Sequence, residues 1–233
     1  QVWRDVGRLN FLDFGPQKLK RVAYAVSAPW PALQEPWIEK AAVYTEKFDA
    51  ISVREVEGIS VCNKLGRDDV THVVDPVLLL EADDYLEIVK VDGEDVSFPS
   101  PFVFGYFLNL RNIEDVPWEA LAGFAAGCGA HFRVVPLQGA ELVIPEEYIY
   151  APSPSSWINA VHRADSVVTN SYHGALFAVI MRKPFLVFLQ RGAKSSENCR
   201  FTSALMRLGL ADRIIAPEVW MKSKPETINE LMS

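Results

Sequence analysis

The densest chemistry in the chain lies between Val168 and Phe185, V-T-N-S-Y-H-G-A-L-F-A-V-I-M-R-K-P-F. Four polar residues, Asn170, Ser171, Tyr172 and His173, separate an apolar run from an apolar helical segment. An imidazole changes charge near neutral pH, so His173 is a candidate to move a proton. Asn170, Ser171 and the backbone of Gly174 offer neutral hydrogen-bonding groups beside it, and the N–H groups that open a helix favour an anion. The ordinary alternative is that Asn170 and Ser171 cap the helix while His173 is a satisfied surface residue. The motif alone leaves both readings open.

Two arginines extend this anion chemistry. Arg54, in Ser52-Val-Arg54-Glu55, follows an apolar strand, and Arg200, in Glu197-Asn-Cys-Arg200, opens a helix. A guanidinium grips a carboxylate or phosphate through two parallel hydrogen bonds, which an ammonium cannot reproduce. Taken singly, each arginine is explained as well by a surface contact, Arg54 with Glu55 and Arg200 in a solvated first turn. Asp75-Pro76 reads as a strand-ending turn, Arg191 and Lys194 as solvated loop cations, and Trp3, Trp30, Trp37 and Trp157 as core or interface residues. No two histidines stand at metal-ligand spacing, and Cys62, Cys128 and Cys199 form no CxxC pair, so neither a metal site nor a disulfide framework is indicated. GxGxxG, GxxxxGK[ST] and GxSxG are all absent from the sequence, which weakens dinucleotide, P-loop and α/β-hydrolase readings.

The elements that must position these residues alternate between strand and helix, the pattern of a mostly parallel sheet with crossover helices. Strands are expected at Arg21 to Ser27, Asp49 to Val53 and Thr71 to Val74, with helices at Pro36 to Phe48 and Glu55 to Leu65. A polar stretch from Lys90 to Pro101 marks a boundary. The second series has strands at Phe102 to Leu108, His131 to Val135, Asp165 to Thr169 and Phe185 to Leu189. Its helices are expected at Pro117 to Gly127, Ser155 to Ala164, Gly174 to Arg182, Arg200 to Leu208 and Pro225 to Met232. This organisation predicts a first domain over 1–97, a second domain over 98–215 and a tail helix over 216–233. In an open α/β sheet of this kind, ligands bind at the carboxyl ends of the strands, where His173 and Arg54 both fall.

The 233 residues are 49% hydrophobic and 23% charged, enough apolar mass for a sizeable core. A formal net charge of −7 argues against a protein that wraps nucleic acid, which needs a basic face to replace counterions. The sequence has no apolar run of membrane-spanning length and no signal peptide, so a cytoplasmic location is expected, with peripheral attachment at the inner face of the membrane as a variant.

Together these segments resemble the polysaccharide pyruvyl transferase family. The resemblance is carried by Gln1-Val-Trp3, Lys20 to Ser27, Phe48 to Glu55 (F-D-A-I-S-V-R-E) and Asp75-Pro-Val-Leu-Leu79. In the second half it is carried by Thr169-Asn-Ser-Tyr-His-Gly174, Lys183-Pro-Phe185, Asn198-Cys-Arg200 and Leu208 to Arg213. It implies two Rossmann-like domains facing a cleft, a GT-B-like architecture, with the first domain N-terminally truncated here. It also implies transfer of the pyruvyl group of phosphoenolpyruvate to a saccharide or lipid-linked glycan acceptor to form a ketal, with no metal or other cofactor. On this reading His173 and Arg54 are catalytic, and Arg54, Asn170, Ser171, His173, Gly174 and Arg200 hold the donor. Two alternatives stay open: a nucleotide-sugar glycosyltransferase of similar architecture, and a non-catalytic sugar- or anion-binding remnant.

Overall fold

The computed structural model describes residues 9–16, 18–28, 37–92, 100–137, 139–150 and 153–233. They form two compact units, one comprising residues up to Pro76 together with Ser196–Ala204, the other Val77–Ser195 with Leu205–Ser233.

The first unit is a β-α-β-α-β chain: β1 (Val22–Val26), α1 (Trp37–Thr45), β2 (Ala50–Val53), α2 (Val56–Lys64) and β3 (Thr71–His72). All three strands are parallel in the order β1-β2-β3, so the expected pattern is realised with the helices as crossovers. Phe48, Ile51, Val53 and Cys62 make its core. Gly58 lets α2 approach β2, since a Cβ there would lie 2.9 Å from that of Val53. Trp30 and the Gln1-Val-Trp3 segment lie outside the described residues.

The second unit opens with α3 (Ala82–Asp92), then β4 (Phe102–Tyr106), α4 (Trp118–Gly127), β5 (His131–Val135), α5 (Pro154–Arg163), β6 (Ser166–Thr169), α6 (Tyr172–Ile180) and β7 (Phe185–Phe188). A 3-10 segment (Gly192–Asn198) leads to α7 (Cys199–Arg207), whose residues up to Ala204 belong to the first unit, and β8 (Ile214–Ile215), α8 (Pro217–Trp220) and α9 (Pro225–Met232) follow. The five strands are all parallel in the order β5-β4-β6-β7-β8. Every residue of β6 and β7 is buried, which is why these segments read as continuous apolar runs and not as alternating ones.

Two parts of this arrangement differ from the sequence expectation. The segment 82–92, placed by sequence in the first domain, is a helix that packs on α5 of the second unit and sets Tyr85 edge-on to Phe177 of α6 at 4.8 Å. The terminal helix is no tail: α9 packs along α4, Ile228 is fully buried in the main core, and Gly123 leaves room for Pro225, whose Cγ would lie 2.7 Å from a Cβ there. Arg213 fixes its end by donating to the carbonyls of Leu231 and Met232 at the helix C-terminus.

Candidate active site

The second-unit corner is built from the end of β6 outward. Thr169 Oγ1 donates to the Tyr106 carbonyl at 2.5 Å and accepts from the Ser171 N–H at 2.9 Å. Asn170 then bridges to the neighbouring strand, accepting from Leu108 N–H at 2.6 Å and donating to Leu108 C=O at 2.9 Å. Ser171 is the N-cap of α6, its hydroxyl accepting from the Gly174 N–H. Gly174 is required for close packing: a Cβ there would stand 2.6 Å from Thr169 Oγ1. Ser171 therefore caps the helix, as the capping alternative expects, whereas Asn170 caps nothing and instead ties the corner to Leu108. His173 is exposed on the first turn, its ring edge-on to Tyr172 at 5.3 Å.

The first-unit cluster forms where β2 ends. Arg54 Nη1 lies 2.9 Å from Asp75 Oδ2 and Arg54 Nε lies 3.4 Å from Glu55 Oε1. Both carboxylates are buried, so the expected surface pair between Arg54 and Glu55 is instead an internal cluster that also enlists Asp75. Glu55 ties β2 to the end of β1, accepting from Ser27 Oγ at 2.8 Å and from Ala28 N–H at 2.9 Å. His72 at the end of β3 hydrogen-bonds through Nε2 to the Arg54 carbonyl at 3.2 Å, so its role is structural.

Arg200 reaches this same unit by an unexpected route. Although it follows β7 in sequence, Ser196–Ala204 belongs to the first unit, and Ser203 Oγ accepts from Val56 N–H, the opening of α2, at 3.2 Å. Arg200 itself is held by the Glu197 carboxylate one turn away. Burial, helped by the charges of Glu57 and Glu55, pushes the neighbouring Cys199 thiol up to about 11, so it is a neutral thiol at physiological pH. The candidate residues thus fall into two groups: in the first unit Arg54, with the buried carboxylates Glu55 and Asp75, and Arg200, with Glu197; in the second unit Asn170, Ser171, Gly174 and His173 at the β6 to α6 corner. Glu55 as a strand tether and Thr169 as the hub of the corner were missed by sequence reasoning, since nothing local distinguishes them.

Against this geometry, the sequence model described as polysaccharide pyruvyl transferase matches residues 2–190. The chain belongs to the polysaccharide pyruvyl transferase family. That match spans Arg54, Asp75 and the whole corner around His173, while Arg200 lies beyond it. No curated protein shows a significant sequence match. Among solved structures, the chain is similar to the wall teichoic acid polymerase TagF. One structure of it has a TM-score of 0.42 at 14% identity, with 94% of this chain and 66% of that chain covered. Another, of a variant with CDPG, has a TM-score of 0.41 at 15% identity, with 94% and 60% covered. The chain therefore spans less than two thirds of the length of these structures. Among the described residues, no helix is long and apolar enough to cross a membrane, and no group of three or more His, Cys, Asp and Glu could hold a metal ion.

Proposed function

We propose that this member of the family carries pyruvyl transfer from phosphoenolpyruvate to two hydroxyls of a saccharide, in the cytoplasm, on a glycan destined for the cell surface. The observation that carries the reading is His173: an exposed imidazole at the carboxyl end of a buried parallel strand, in the first turn of a helix that Ser171 caps. A proton is delivered to the methylene carbon of the donor, leaving positive charge at the adjacent carbon that bears phosphate and carboxylate. A saccharide hydroxyl attacks that carbon and loses its proton; the second hydroxyl attacks as the C–O bond to phosphate breaks, and its proton leaves with the phosphate. The products are the cyclic ketal and inorganic phosphate, and the atoms balance without metal or redox cofactor.

His173 moves the proton between hydroxyl and methylene carbon, and Arg54 and Arg200 compensate the donor's negative charge. The test is product analysis with phosphoenolpyruvate and a saccharide acceptor: phosphate release coupled to a pyruvylated product is expected. Release of nucleotide from a nucleotide-sugar, with phosphoenolpyruvate inert, would replace this reading with a glycosyltransferase.

A further inference from the structure

We propose that a cavity at the carboxyl edge of the five-stranded sheet, adjoining the His173 corner through Asn170 but not lined by His173, binds a sugar bearing a phosphate. The cavity encloses about 360 Å³ and lies wholly within the second unit. Its position follows from the strand order: the chain leaves β4 for β5 on one side and returns to β6 on the other, so the loops after β4 and β6 diverge and open a crevice. Asn109 and Arg111 line it from the β4 side, Asn170 from β6, and Gln190 and Arg191 from β7, while His173 is not among the residues lining it.

The charge pattern selects an anion. Two arginines from two separate loops, Arg111 and Arg191, line the cavity with one carboxylate, that of Asp115, in a chain whose overall formal charge is −7; Arg191 Nη2 also donates to the Pro217 carbonyl at 3.3 Å. Asp115 is turned toward its own loop, its Oδ2 accepting from the N–H groups of Arg111 at 2.7 Å and Asn112 at 3.0 Å. The lining is thus locally cationic, suited to forked recognition of a phosphate.

The remaining lining selects a sugar beside that phosphate. Asn109, Asn112 and Gln190 supply amides, which can both donate to and accept from hydroxyls. Asn109 and Gln190 join the two lips, Nδ2 donating to Oε1 at 2.9 Å across 81 positions of sequence. Asn109 also holds a left-handed backbone (φ 58°), a conformation that a non-glycine residue adopts at some cost and that clusters at ligand sites. Phe107, Phe188 and Trp220 make an apolar floor for the C–H face of a ring. The volume lies at the lower end of the roughly 300–1,000 Å³ range of ligand pockets, enough for one sugar and its phosphate, whereas inorganic phosphate alone would leave most of it unfilled.

The assignment stands independently of pyruvyl transfer and is tested by calorimetric titration of the 233-residue chain. The probes are the 1-phosphates of glucose, galactose and N-acetylglucosamine, the corresponding free sugars, inorganic phosphate and phosphoenolpyruvate. At least one sugar phosphate is expected to bind tenfold or more tighter than its free sugar and than inorganic phosphate. Arg111→Gln and Arg191→Gln should each weaken it by about tenfold, the scale of one charge-assisted hydrogen bond. Both arginines are exposed, so melting temperatures should hold, and His173→Ala should leave the affinity within about twofold. Absence of binding, equal affinity for inorganic phosphate, indifference to both arginine variants, or an equal loss in His173→Ala would each overturn the proposal.

Discussion

Arg54 and Asp75 form an ion pair, 2.9 Å from Nη1 to Oδ2, that joins the end of β2 to the turn after β3 and draws buried Glu55 into the same cluster. Two tetrapeptides that look unrelated in sequence, S-V-R-E and V-D-P-V, are halves of one structure. An arginine so placed offsets part of the negative charge of two buried carboxylates.

Removing that arginine should be costly to the fold. Arg54→Ala leaves two buried carboxylates uncompensated and is expected to lower stability by about 3–5 kcal/mol. Arg54→Lys keeps the charge but cannot span both partners, and should fall between wild type and alanine. Urea unfolding of the three proteins checks this order; a wild-type midpoint for Arg54→Ala would show that the cluster contributes nothing to stability.

His173 should behave oppositely. Its side chain is exposed, so His173→Ala creates no core cavity and the melting temperature should be unchanged. As a proton shuttle it should contribute roughly 10²–10⁴-fold to turnover. Steady-state pyruvyl transfer at saturating phosphoenolpyruvate separates the roles: a fall in kcat supports proton transfer, whereas a rise in KM alone would mark His173 as a donor contact.

Gly174 tests the construction of the corner. The methyl added by Gly174→Ala would strike Thr169 Oγ1, placed 2.6 Å away, and should destabilise by about 1–3 kcal/mol. Thr169→Ala removes that atom along with its hydrogen bonds to Tyr106 and Ser171. The double variant should therefore be less damaged than the sum of the singles. Strict additivity in denaturant unfolding would show that the contact is not what requires glycine.

The Cys199 thiol, raised to about 11 from the ordinary 9.0, gives a pH-dependent prediction. Because the folded value lies above the unfolded one, its contribution to stability is full below about pH 9 and is lost as pH rises through about 11. At pH 8 the native thiol should alkylate about 100-fold more slowly than the same thiol in denaturant, since two pKa units reduce the thiolate fraction by that factor. Mass-spectrometric rates with iodoacetamide provide the check; equal native and denatured rates at Cys199 would contradict the raised value.

The sequence by itself determined which segments are strands and which are helices, because apolar periodicity, Pro at helix starts and polar turns act over a few residues. The strands now at β2, β5 and β6 and the helix at α9 were legible within a residue or so, and the N-S-Y-H-G corner was legible as a strand-to-helix junction. The Ser171 cap was equally readable, as it depends only on the next three residues. Helix α3 was not read as a helix, and its place is set by packing on α5. Only the tertiary structure decided that β6 lies beside β4, so that Asn170 meets Leu108 from 62 positions away and a crevice opens beside them. It also decided that Arg54 meets Asp75 and that Ser196–Ala204 joins the first unit. These choices rest on strand order and long-range burial, which no local pattern of residue types encodes.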